Sequence, residues 1–130
     1  AALRVLVIDD EEWSRALLAK YLTEVGHSVE LAEDGATGVA KAAGTPFDLV
    51  ITDRAMPGMS GEQVAVALKK QSPHVPVLLL TGDIMSAGEH AAHGVDGVLE
   101  KPVTQREVTD MLDRLTARNE GGMEHEAMDE

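Results

Sequence analysis

Two hydrophobic periods alternate along the chain. Leu3-Arg4-Val5-Leu6-Val7-Ile8 is a short β-branched-rich run, as a strand buried on both faces requires. It stops at Asp9-Asp10-Glu11-Glu12, which cannot be buried unpaired. Trp13, Ala16, Leu17, Tyr21, Leu22 and Val25 then recur at helical spacing, and Gly26 supplies a left-handed terminator. Trp13 reads as a packing residue of this first helix. His27 to Ala32 alternates and predicts a second strand. Asp34 is placed to cap a helix carrying Val39, Ala40 and Ala43, ended by Gly44 and Pro46. Phe47-Asp48-Leu49-Val50-Ile51-Thr52 predicts a third strand running into Asp53. Ser60 caps the next helix, with Glu62 in its first turn and Val64, Ala67 and Leu68 on one face. Val77-Leu78-Leu79-Leu80-Thr81 is the most hydrophobic strand. A weaker helix spans about 85–93, with Gly88 inside it. Gly97-Val98-Leu99-Glu100 is a short fifth strand ending at Lys101-Pro102. Thr104 and Glu107 form a capping-box pattern that opens a last helix bearing Val108, Met111, Leu112 and Leu115.

Five strands alternating with five helices through short loops predict an α/β fold, a parallel sheet with helices on both faces. The 130 residues suit one domain. The residues divide into a folded unit, 1–118, and an acidic C-terminal tail, 119–130, which holds five acids and no Lys or Arg. No run approaches the ~20 apolar residues of a membrane span, and no secretory signal is expected. The chain opens on Ala rather than Met, which leaves room for a longer parent. Cysteine is absent, so disulfides, thiol nucleophiles and thiolate metal sites are excluded, and a cytoplasmic location is expected. With 11 Lys and Arg against 23 Asp and Glu, the net charge is −12. Such a chain repels nucleic acid and anionic membrane on average, so neither is an expected partner.

The chemistry collects at strand ends. Asp9 and Asp10 follow the first strand, Asp53 ends the third, Thr81 ends the fourth and Lys101 follows the fifth. In a parallel sheet these ends share one edge, where ligands bind at the reversal of strand order. Three carboxylates so close need compensation. One can be protonated, one can pair with lysine, or all can bind a hard cation. Oxygen-only ligands favour Mg2+ (or Mn2+) over zinc. A divalent ion plus Lys101 balances the three negative charges. Asp53 could then attack an electrophilic phosphorus to give an aspartyl phosphate, with Lys101 and the Thr81 hydroxyl meeting phosphoryl oxygens. His74, His90 and His93 read as solvated, and the scattered methionines as core filler, loop or tail.

This set, with Asp53-Arg54-Ala55-Met56-Pro57-Gly58-Met59-Ser60-Gly61, Thr81-Gly82 and Glu100-Lys101-Pro102, resembles the receiver domain of bacterial two-component response regulators. The resemblance covers roughly residues 3–118 and is greatest to receivers attached to hybrid sensor histidine kinases. It implies the sheet order 2-1-3-4-5. It implies Asp53 as phosphoacceptor, with the phosphoryl group coming from a histidine kinase or histidine phosphotransfer domain. It implies Asp10 as a direct Mg2+ ligand, Asp9 mainly through water, and the backbone carbonyl of Ala55 as a further ligand. Thr81 would swing toward the phosphoryl group and Lys101 would pair with it, next to a cis Lys101–Pro102 bond. Many receivers carry Tyr or Phe where this chain has Val98, so the aromatic switch is absent or altered. The resemblance also implies that Ala55 and Asp83 stand at the family's two positions that tune phosphoryl lifetime.

Other functions weigh less. A small Mg2+-dependent phosphatase with an aspartyl nucleophile wants Asp-x-Asp after the first strand and a cap insertion; here Asp9 and Asp10 are adjacent and no insertion exists. A flavodoxin-type module wants a Ser/Thr/Gly phosphate loop where this chain has four acids. A receiver acting only as a protein-interaction module is disfavoured by its intact site. The expectation is therefore a phosphoacceptor that assists its own phosphorylation and dephosphorylation, not an enzyme. A homodimer is left open.

Overall fold

The computed structural model describes residues 2–83 and 94–128, with residues 118–128 as backbone only. The chain runs β1 (Arg4–Ile8), α1 (Glu12–Glu24), β2 (Ser28–Ala32), α2 (Gly35–Gly44), β3 (Leu49–Asp53), α3 (Gly61–Gln71), β4 (Val77–Thr81), β5 (Gly97–Glu100) and α4 (Gln105–Met128). The five strands form one sheet in the order β2-β1-β3-β4-β5, and every neighbouring pair is parallel. The strands fall within a residue or two of the sequence expectation. The predicted helix at about 85–93, with Gly88, His90 and His93, lies outside the described residues. The backbone of the last helix continues through the acidic segment as far as Met128.

Alternation along the strands builds two cores. Val5, Val7, Leu49, Ile51, Leu78 and Leu80 point to one face and pack with Leu18 and Leu22 of α1 and with Val108, Leu112 and Leu115 of α4. Leu6, Ile8, Val50, Val77 and Leu79 point to the other and pack with Val64, Ala65 and Leu68 of α3. The central strands β3 and β4 are buried throughout, whereas the edge strands β2 and β5 are mostly half-exposed. This is the burial that continuous apolar runs demand in a sheet covered on both sides.

Two helix faces differ from the sequence expectation. On α1 the buried stripe is Leu18 and Leu22, an i,i+4 pair. Val25 is 49% exposed and Ala16 is exposed. Trp13 is not a packing residue: it is 67% exposed at the start of the helix. On α2 the buried residues are Gly35 and Gly38. Val39 and Ala42 are partly buried, while Ala40 and Ala43 face solvent. Here contact follows the smallest residues, because a Cβ at Gly38 would collide with the Ile8 side chain. Caps behave as the residues suggest. Asp34 accepts the Thr37 N–H at 2.8 Å, Ser60 and Gln63 form a reciprocal capping box, and Glu107 accepts the Thr104 N–H at 2.9 Å. Gly26 has a φ of 99°, where a side chain would be strained.

Gly61 fixes how close α3 sits to the end of β3. A Cβ there would run into the Leu79 side chain, the Asp53 carbonyl oxygen and the Arg54 Cα. Gly61→Ala is therefore expected to destabilise the fold by about 1–3 kcal/mol. Gly44→Ala, with nothing near the added methyl, is expected to be neutral or to stabilise by up to about 1 kcal/mol. Urea unfolding of both variants checks the contrast. Asp34 gives a pH signature. Its bonds to Thr37 hold its carboxyl below the ordinary value of 3.8, so it contributes stability above 3.8 that fades as pH falls through the lowered native value. The stability gap between wild type and Asp34→Ala is expected to be constant near neutrality and to shrink only in strong acid, as thermal melts across pH will show.

Candidate functional site

The sheet order puts β1 between β2 and β3, so the order of strand addition reverses beside β1 and opens a crevice at the strand C-termini. Asp9 is the residue after β1, and its N–H continues the ladder to the Ala32 carbonyl at 3.1 Å. Asp53 closes β3 in register with Leu80. Thr81 closes β4 in register with Glu100, and its carbonyl accepts the Lys101 N–H at 2.9 Å. Backbone pairing alone thus carries these residues to one edge.

The side chains then converge. One carboxylate oxygen each from Asp9, Asp10 and Asp53 lies within 4.8 Å of the others. Lys101 Nζ is 2.7 Å from Asp53 Oδ1 and 3.8 Å from Asp9 Oδ2. Asp9 is fully buried, Asp53 is 7% exposed and Asp10 is open to solvent. Burial pushes the Asp53 carboxyl above its ordinary value, and the Asp9 charge adds to this. The bond and charge of Lys101 oppose the rise without cancelling it. Burial alone would lower Lys101, but the charges of Asp53, Asp9 and Glu11 outweigh it and hold the ammonium above its ordinary range. The lysine stays charged while the aspartate is ionised at a cost.

Thr81 is 3% exposed, and its hydroxyl accepts the Asp83 N–H at 3.0 Å. The Lys101–Pro102 bond is cis, as the resemblance implied. Val98, paired with Leu79, is half-buried against the α3 side of the sheet. Ala55 lies exposed, two residues beyond Asp53.

Four residues have contacts that escaped the sequence reading. The Ser14 hydroxyl donates to Asp9 Oδ2 at 2.6 Å, and the Glu11 N–H donates to Oδ1 at 3.0 Å. Both oxygens of Asp9 are therefore held in place. The Arg15 guanidinium donates to the Asp9 carbonyl at 2.8 Å. Glu62 is a first-turn acid as expected, yet it is buried and accepts from Arg54 Nε at 2.8 Å. A usable signal existed for Ser14 and Arg15. Helical side chains lean toward the N-terminus, so the first turn of α1 points back at the end of β1.

A pocket of all-oxygen donors with three negative charges and one ammonium fits a hard divalent cation. Beside it, a groove of about 290 Å³ runs between α1 and the segment after β5, with Trp13, Leu17, Lys101, Pro102 and Val103 in its walls.

Comparison with known proteins agrees with this geometry. Residues 5–113 match the family model of the response regulator receiver domain. The transcriptional regulatory protein TcrA of Mycobacterium tuberculosis is 37% identical over 120 residues, which is 91% of this chain and 47% of that protein. The sensor kinase/phosphatase LuxN of Vibrio campbellii is 32% identical over 119 residues, 88% of this chain and 14% of that protein. The chain thus spans less than half the length of these curated relatives. Among solved structures, the chemotaxis protein CheY4 of Vibrio cholerae superposes with a TM-score of 0.83 at 33% identity, covering 88% of this chain and 99% of that one. Taken with the sheet order and the strand-end cluster, the match places this chain in the receiver domain family of two-component response regulators.

Proposed function

We propose that this chain is a phosphoacceptor in a two-component phosphorelay, taking a phosphoryl group on Asp53 from a histidine kinase or histidine phosphotransfer domain. The observation that carries the reading is the 2.7 Å pairing of Lys101 with an Asp53 that burial makes costly to ionise, inside a three-carboxylate cluster. An Asp53 oxygen attacks phosphorus and forms the O–P bond. The bond from phosphorus to the donor's nitrogen, or to the oxygen of an acyl phosphate, breaks with its electron pair leaving on the donor. Lys101 then transfers its pairing from the carboxylate to a phosphoryl oxygen. The Thr81 hydroxyl turns from the Asp83 N–H to another. Asp10, Asp53 and the Ala55 carbonyl would hold Mg2+ directly, and Asp9, its oxygens already engaged by Ser14 and Glu11, mainly through water. When bound, the ion supplies the positive charge that developing phosphoryl oxygens require.

The apolar groove flanking Lys101 would seat the donor's surface beside the acceptor. In this reading the receiver unit spans 1–118 and residues 119–130 are an acidic C-terminal tail. The domain signals rather than turns over a substrate, and it works in the cytoplasm with its kinase. No helix among the described residues is long and apolar enough to cross a membrane.

Incubation with acetyl phosphate and Mg2+ is expected to add the mass of one phosphoryl group to the intact chain, and Asp53→Ala is expected to add none. An unmodified wild type that also fails to bind beryllofluoride would overturn the reading. Lys101→Met is expected to slow adduct formation by about a hundredfold, as loss of a transition-state donor does. The same variant is expected to bind Mg2+ more tightly, because a cation competing for the same carboxylates is gone. Stopped-flow kinetics and calorimetry measure the two effects separately.

A further inference from the structure

The loop after β3 leaves the acceptor at Arg54 and rejoins the fold at Gly61. Three bonds close its base. The Arg54 N–H donates to the Leu80 carbonyl at 2.9 Å, and the Gly61 N–H donates to the Arg54 carbonyl at 2.8 Å. The third bond is the ion pair from Arg54 Nε to Glu62 Oε2 at 2.8 Å. The side chain of Glu62 is only 12% exposed and that of Arg54 34%. Arg106 and Asp110, at 91% and 63%, make an ordinary surface pair by contrast. A charge withdrawn from water is costly unless paired, so Arg54 is held firmly by its main chain on one side and by its guanidinium on the other. The next residue is Ala55.

We propose that Arg54 and Glu62 are positioning residues for the cation site: their ion pair fixes the Arg54–Ala55 segment so that the Ala55 carbonyl is presented beside Asp53. This rests on the phosphoacceptor reading above. A carbonyl on a loose loop must be ordered when the ion binds, and that entropy is subtracted from affinity. The bonds to β4, Gly61 and Glu62 hold Arg54, the residue before Ala55, so less of that ordering is left for the ion to impose. Groups that orient metal ligands commonly change affinity by tenfold or more when removed. A clasp that merely tied α3 to β3 would instead alter stability alone.

The test is calorimetric titration of MgCl2 into the full chain for wild type, Glu62→Ala, Glu62→Gln and the reversed pair Arg54→Glu/Glu62→Arg. Glu62→Ala is expected to weaken Mg2+ binding by about tenfold. Glu62→Gln, which keeps a hydrogen bond, is expected to fall between it and wild type, and the reversed pair to recover affinity. With acetyl phosphate, Glu62→Ala is expected to need more Mg2+ for half-maximal adduct formation, yet to reach the wild-type rate at saturation. Wild-type Mg2+ affinity in Glu62→Gln and Glu62→Ala, with only their melting temperatures lowered, would overturn the proposal. So would a reduced rate at saturating Mg2+ with affinity unchanged. If Glu62→Ala fails to fold, Glu62→Gln and the reversed pair decide the outcome. A wild type that binds no Mg2+ and takes no phosphoryl group would instead refute the underlying reading.

Discussion

Asp53 and Lys101 meet at 2.7 Å, and the same ammonium reaches Asp9 at 3.8 Å. One positive charge is thereby shared by two buried carboxylates of a cluster that numbers three. The fold tolerates this because the cost is local and the sheet beneath is anchored on both faces. The imbalance is also what gives the edge its chemistry. A fully neutralised cluster would attract neither a cation nor a phosphoryl group, and a more negative one would strain the fold.

The scaffold holds that imbalance through backbone pairing and close approach. Asp9, Asp53, Thr81 and Lys101 are far apart in sequence, yet each is the last residue of a parallel strand or the first beyond it. Their convergence follows from strand order, not from any contact the side chains make with one another. Two glycines refine the arrangement. Gly38 lets α2 lie against Ile8, and Gly61 lets α3 press on the end of β3. The position of Asp53 is thus set from above by its partner strands and from the side by a helix that could not come so near with a larger residue.

The strands and the strand-end residues were legible in the sequence because both depend on short local patterns. Four of the five strands are five-residue apolar or alternating runs, and each ends at or beside a polar residue. The sheet order was not legible from periodicity and came from the resemblance. Helix faces were read less well. Trp13 and Val25 fit an apolar stripe by spacing, but Leu18 and Leu22 occupy the buried side. On α2, glycine was the buried residue, and a hydrophobicity pattern gives glycine no weight. The Arg54–Glu62 pair was invisible for a different reason: the two residues are joined across a loop whose closure is a matter of tertiary geometry.

The misjudged Trp13 has its own use. It is the single tryptophan of the chain, it is largely exposed, and it stands in the groove wall that Lys101 also lines. An indole in that place responds to charge and water around the lysine while the remaining aromatic residues, one Tyr and one Phe, add little emission. The molecule therefore carries a built-in indole in the groove beside its carboxylate cluster, and under the proposed function fluorescence of the unlabelled protein would follow occupancy of that cluster.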